Sequence, residues 1–271
     1  MPESRLLVIG AHPDDCEMTA TGLSRRWVEH GGAVRWLSLT DGSSGHQSSG
    51  GAPLVARRRA EAAAAAAIAG AESVILDVPD GALVPSLENR TKVIRQIREF
   101  GPDVIAGPRP WDYHPDHRYT GQLMQDAMYM IQVPNVVPTV PAMRKSPVAL
   151  YVWDHFQKPL PIRGDLVFDV DDLYELKARV LAAHASQVFE WLPWIAGFAD
   201  QVPADLAQDG LDFVKAHFID RHGTDPAPHR AHLTARYGAE RAAEIRRVEV
   251  FEVCEYGAPL TPELERQLFD F

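Results

Sequence analysis

Two short segments concentrate the side chains that hold metal ions and move protons. The first, Ala11-His12-Pro13-Asp14-Asp15-Cys16-Glu17, sets an imidazole three residues ahead of one carboxylate and two ahead of another. The second, Trp111-Asp112-Tyr113-His114-Pro115-Asp116-His117, carries two imidazoles three residues apart with carboxylates around them. If each segment follows a strand and opens a helix, His12 and Asp15 face one point. Pro13 stiffens that turn through its fixed φ. Asp14 must then point elsewhere from Asp15, so the two adjacent carboxylates can take different roles. A single His-Pro-Asp at a strand end is more often a capped turn. Its recurrence after a second strand makes a shared metal the better reading.

Two nitrogens and one oxygen with a position open to water form the ligand set of a catalytic zinc, whereas closed structural sites favour thiolates. Cys16 and Cys254 cannot supply such a set. Cys16 reads as a small buried residue at the helix start. His114 and His117 can both bind, or one can bind while the other handles protons; spacing leaves this open. Asp116 is placed to orient a histidine ring from behind, as carboxylates around metal sites do.

The elements that must position these segments follow from the apolar pattern. Residues 6–11, 34–40, 74–78 and 104–106 read as buried strands. Helical patterns run over about 17–30, 54–70, 87–100 and about 117–130, the second alanine-rich and closed by Gly70. Strands alternating with such helices predict βαβ units in a Rossmann-like, doubly wound and mostly parallel α/β sheet flanked by helices. Right-handed crossovers put every strand's C-terminal end on one rim, where ligands bind in open sheets. The polar clusters at 12–17, 40–50, 80–83 and 109–117 should therefore converge.

Beyond residue 133 the pattern loosens. A strand at 149–153, a helix at 171–186, a loop at 222–232, a helix near 239–246 and a final strand at 248–254 are expected. The reading is one catalytic domain over 1–271, with the metal site in a core at 1–133 and a C-terminal part, 134–271, shaping the substrate pocket.

The composition bounds the partners. The apolar share of 46% and charged share of 24% are ordinary for a globular enzyme. A net charge of −10 without a basic stripe disfavours nucleic acid. The first apolar run is too short for a signal-peptide core or a membrane span. Two cysteines suit a reducing compartment, and the protein reads as cytoplasmic. The remaining polar residues carry bland readings. Arg57–Arg59 reads as a solvated helix face with one arginine near the active rim. His46 reads as a solvated loop histidine and Trp191 and Trp194 as core. His155, His184, His217, His222, His229 and His232 read as structural or exposed.

Taken together, the residues resemble the PIG-L/LmbE-like family of zinc-dependent N-deacetylases, to which the mycothiol- and bacillithiol-pathway deacetylases belong. The resemblance rests on Ala11–Asp15 and His114–His117, supported by Thr40-Asp41-Gly42, Arg58-x-x-Glu61, Pro79-Asp80-Gly81, Lys177, and His184-x-Ser186-Gln187. It is closest over 6–130, patchier over 165–190 and thin beyond, apart from Glu249-x-Phe251. It implies that His12, Asp15 and His117 hold the zinc (or Fe2+ or another divalent ion). It also implies that Asp14 is the general base, His114 the proton donor or oxyanion stabiliser, and that Arg58 and Asp80 meet sugar hydroxyls. The implied substrate is a small N-acetylated molecule, an N-acetylglucosamine-type glycoside or related amine, and the resemblance is compatible with a homo-oligomer. A thiol-conjugate or non-sugar amide is the alternative substrate. A non-catalytic Rossmann-like binding module is disfavoured, because Gly10-Ala11-His12 lacks the phosphate-binding glycine turn. The Gly/Ser-rich loop 42–53 suits a mobile lid.

Overall fold

In a computed structural model, which describes residues 4–271, the first half of the chain winds as three βαβ crossovers. Strand β1 (Arg5–Gly10) leads to α1 (Asp15–Glu29), β2 (Ala33–Thr40) to α2 (Gly51–Ala69), β3 (Glu72–Val78) to α3 (Leu87–Phe100), and β4 (Val104–Gly107) to α4 (Pro115–Met130). Strand β5 (Val148–Val152) follows, and then β6 (Leu166–Asp169) and β7 (Val248–Cys254). One seven-stranded sheet has the order β3-β2-β1-β4-β5-β7-β6. The first five strands pair in parallel, and β7 runs antiparallel to both β5 and β6.

Side-chain alternation along the strands builds two cores. Leu6 and Val8 of β1 and Val34 and Trp36 of β2 face one layer with Trp27 of α1, Ala65 and Ala69 of α2, and Phe269 of a C-terminal helix (Pro262–Phe269). Leu7, Ile9, Leu37 and Leu39 face the other, against Val93 and Ile97 of α3 and Leu123 and Met124 of α4. Such strands are buried on both faces, which is why they read as continuous apolar runs rather than alternating ones.

The strand order reverses between β1 and β4. The connection from β1 goes to β2 on one side, and β4 begins the other wing, so a crevice opens at their carboxyl ends. Both histidine-rich segments leave from that crevice. Among the described residues, no helix is long and apolar enough to cross a membrane.

Several elements differ from expectation. Helix α2 starts at Gly51, three residues before the expected 54, because Pro53 fits a first turn whose N–H groups have no helical partner anyway. Helix α4 starts at Pro115 with His114 as its cap. The helix expected over 171–186 runs as α5 (Tyr174–Ala182), breaks around His184, and resumes as a wide-turned π segment, Ser186–Trp191. The break coincides with His184 turning inward onto Glu17. Strand β6 was not expected at all: at four residues it is defined by its partner β7, not by its own pattern. The stretch 222–232 is not only loop, since a helix over Arg230–Tyr237 forms around the fully buried Leu233.

Candidate metal centre

Gly10 ends β1, and the chain turns sharply into α1. A side chain there would bring a Cβ within 2.7 Å of the Asp15 Cβ, so the glycine is what lets the first turn of α1 close onto the strand. Asp15 Oδ2 accepts the backbone N–H groups of Ala11 and His12, both at 2.8 Å. Its Oδ1 is left facing His117 Nε2 at 3.5 Å.

Each of two imidazoles presents one nitrogen to that carboxylate and gives the other to a support. His12 Nε2 lies between Asp80 Oδ1 at 3.2 Å and Asp116 Oδ2 at 3.4 Å, in line with neither. His12 Nδ1 faces inward, 3.6 Å from Asp15 Oδ2. His117 Nδ1 lies 3.1 Å from Asp112 Oδ1, so its proton sits there and Nε2 turns a lone pair inward. The two inward nitrogens are 3.2 Å apart. When both rings are neutral with their outer nitrogens protonated, the inner nitrogens face each other as two lone pairs.

The two inner nitrogens are 3.2 Å apart, and one or other oxygen of Asp15 lies 3.5–3.6 Å from each, close to the roughly 3.3–3.6 Å between ligands of a tetrahedral zinc held at about 2.0–2.2 Å. The N,N,O donor set is that of a catalytic zinc with one position open. Carboxylates behind both histidines complete the usual support. Two other triplets also converge: His12, His114 and His117, and His12, Asp80 and Asp116. The latter uses the outer nitrogen of His12, where the carboxylates act as orienting partners.

The charges around the centre favour a cation. Burial opposes charge on His12, but the close carboxylates of Asp116 and Asp80 and the charge of Asp15 outweigh it and push its pKa up to about 10. Burial also opposes charge on His117, yet Asp15 and Asp112 raise it. Asp80, despite burial, is held down to about 2 by His12.

Asp14 occupies the N-cap position of α1 but makes no capping bond with its side chain. Its φ of 153° is one that L-residues rarely adopt. The carboxylate instead turns to Arg58 Nη2 at 3.0 Å, and the same nitrogen donates to Pro13 O at 2.6 Å. Burial raises the Asp14 pKa, with the Arg58 charge working against it. Burial and the raised pKa make this carboxylate a better proton acceptor than an exposed one.

His114 caps α4: its Nδ1 accepts the backbone N–H of Asp116 at 3.2 Å. That fixes the proton on Nε2 and makes the ring a neutral donor. Burial, with the neighbouring His12 and His117 charges, lowers its pKa, in keeping with a neutral ring. Its ring stands edge-on to His12 at 4.7 Å.

The structure thus brings His12, Asp14, Asp15, His114, Asp116 and His117 together and turns several readings around. Arg58 is 2% exposed and packs under Gly42, whose φ of 68° brings the loop against the guanidinium. It is not part of a solvated face: its guanidinium reaches Asp14 and the Pro13 carbonyl. Asp80 Oδ1 lies 3.2 Å from His12 Nε2, and its Oδ2 accepts from Ser44 N at 3.2 Å. His46 is not solvated: its side chain is 4% exposed and its Nε2 meets Glu190 Oε2 at 2.8 Å. Trp191 and Trp194 are not core; they stack on each other at 5.5 Å, with Trp194 half exposed. The sequence reading assigned no role to Asp112, although its place five residues before His117 was the available signal. Glu190 gave no local signal, since its partners Arg57 and His46 lie 133 and 144 residues away.

An α/β protein with histidines and carboxylates clustered at the reversal point of an open sheet is the class that this fold and site define. Residues 7–128 match the family model described as PIG-L, GlcNAc-PI de-N-acetylase. Over 229 residues the chain is 29% identical to the diacetylchitobiose deacetylase of Thermococcus kodakarensis, covering 79% of this chain and 85% of that one. The solved N,N'-diacetylchitobiose deacetylase from Pyrococcus horikoshii, complexed with its inhibitor, matches with a TM-score of 0.68 and 25% identity, over 94% of this chain and 85% of that one. A 4-carboxy-2-hydroxymuconate hydratase from Pseudomonas putida matches with a TM-score of 0.67 and 19% identity, over 95% and 98% of the two chains; that likeness is one of fold alone. The chain thus carries a PIG-L-type match over residues 7–128 and is similar across most of its length to diacetylchitobiose deacetylases.

Proposed function

We propose that this protein is a zinc-dependent N-deacetylase that frees the amine of an N-acetylglucosamine-type glycoside or a related small N-acyl amine. The observation that carries the reading is the inward-facing pair of imidazole nitrogens 3.2 Å apart, closed by Asp15. The diacetylchitobiose deacetylase names of its relatives supply the acetamide and the sugar.

His12, Asp15 and His117 would hold the ion, and the same donors accept Fe2+ or another divalent metal. When bound, such an ion supplies the Lewis acidity that makes water acidic enough to react near pH 7. Asp14 accepts a proton from the attacking water and passes it to the departing nitrogen. Arg58 keeps the Asp14 carboxylate aimed, and through it the strained turn. His114 donates its Nε2 hydrogen to the carbonyl oxygen as negative charge builds there. Water and amide become acetate and a free amine, with one C–O bond made and one C–N bond broken. Proton transfer of this kind contributes roughly a hundred- to ten-thousand-fold. Asp112 and Asp116 hold the two ligand rings. Residues 134–271 act within the same catalytic unit and complete the pocket. Both cysteines are buried and free, which suits a reducing cytoplasm.

The test is acetate release from a panel of N-acetylated sugars with different aglycones and of sugar-free amides, with zinc present. Turnover of the sugars is expected. Exclusive turnover of sugar-free amides or thiol conjugates would replace the sugar reading, and protein that binds no metal would overturn the enzyme.

A further inference from the structure

Beside the centre, on the side of Asp15 and His117, lies a cavity of about 180 Å³. Ile9, Pro108, Tyr113, Val152, Trp153 and Phe156 supply its apolar walls. Asp14, Arg58 and Asp80 are not among its lining residues, so it is separate from the polar side where Ser44 meets Asp80.

Of the charged side chains on its walls, Arg109, Asp112 and Asp154 are already engaged, and His155 is exposed. Asp154 takes Arg109 through both oxygens at 2.7 Å. Arg109 also donates to the carbonyls of Leu160 and Phe156. Asp112 is taken by His117 and by the backbone N–H of His114. Thr19 donates its hydroxyl hydrogen to Asp15 O at 2.7 Å. A ring of sugar hydroxyls entering here would lose water without gaining these partners, a cost an apolar group does not carry. The cavity is also large for a methyl group, since a cavity of about 150 Å³ holds a benzene ring. The Arg109–Asp154 clasp pins the loop that carries Phe156, so the wall is preformed.

We propose that this cavity receives the acyl chain of the substrate, and that it suits an unbranched chain of about four to six carbons better than acetyl. The proposal rests on the amide-hydrolase reading above. The carbonyl carbon stays at Asp15 and His117 while the chain runs between Tyr113, Trp153 and Phe156. Water adds to that carbon, the C–N bond breaks, and the products are a short-chain fatty carboxylate and the amine.

N-acetyl-, N-butanoyl- and N-hexanoylglucosamine, assayed for amine release with zinc present, test it. The expected result is kcat/KM rising by roughly threefold per added methylene. In Phe156→Ala the hexanoyl-to-acetyl ratio should fall at least about tenfold. That ratio is read on one preparation and so is insensitive to partial misfolding. Hexanoate should also quench tryptophan emission at a concentration at least about tenfold below that of acetate, with or without metal. Turnover of the acetyl compound with loss of the longer ones, an unchanged ratio in Phe156→Ala, or equal binding of the two carboxylates overturns the acyl pocket and leaves the deacetylase reading standing. Failure to hydrolyse any of the three overturns both.

Discussion

His117 Nε2 and His12 Nδ1 face each other at 3.2 Å, and each ring is held from behind by carboxylate oxygen. The arrangement suits a cation, which the two inward nitrogens and Asp15 would hold together. It also assigns Asp112 a task, since it alone fixes the tautomer of His117. Asp112→Ala should weaken metal affinity by about 10- to 100-fold while leaving the fold intact. Competition with a metal chelator of known affinity measures this, and an unchanged affinity would release Asp112 from the role.

Asp14 and Asp15 are neighbours with opposite duties. Asp14→Asn keeps size and polarity but removes the proton acceptor, so turnover should fall by at least about a hundredfold with KM little changed. Steady-state kinetics on the deacetylation substrate checks it. Retention of more than a tenth of wild-type kcat would move the base elsewhere.

Gly10→Ala addresses the turn that aims Asp15. The new methyl would sit 2.7 Å from Asp15 Cβ and 3.2 Å from Cys16 Sγ, both held by the start of α1. Overpacking of this kind costs about 1–3 kcal/mol. Urea unfolding should report that loss, accompanied by weaker metal binding because the ligand itself is displaced.

The glycine- and serine-rich loop is tied down at several points. His46 and Arg57 share Glu190, Gln187 donates to Gly45 O, and Ser44 donates to Asp80. Glu190→Ala removes the largest of these ties. Because Glu190 is partly exposed, the global stability change should stay within about 1 kcal/mol. Faster proteolytic cleavage within 42–50 and a KM raised several-fold with a smaller change in kcat are expected. Unaltered cleavage would argue that the loop is held by its backbone instead.

Much of the first half was legible because each signal there is local. Continuous apolar runs marked β1 to β4, Gly70 marked the end of α2, and two clusters at strand ends marked the centre. The features that sequence reading lost are made by distant partners. β6 is a strand through its pairing with β7, and the helix over Pro262–Phe269 is anchored where Phe269 meets Trp27 and Phe168. Arg58 looks like any helix-face arginine until Gly42 closes over it and Asp14 turns to it. His46 looks solvated until Glu190 arrives from 144 residues away. Beyond residue 133 the apolar pattern marked β5 and β7 but not β6, and it carried no sign that β7 joins the sheet antiparallel and at long range.

The central claim is that one divalent ion sits between His12, Asp15 and His117, with Asp14 beside it but not bound to it. Metal content per chain, measured on the wild-type protein, Asp14→Asn and Asp15→Ala purified in parallel with zinc, tests this most directly. The account predicts about one zinc per chain in the wild type and in Asp14→Asn, and near loss of it in Asp15→Ala. A metal-free wild type, or a metal that follows Asp14 rather than Asp15, would contradict it.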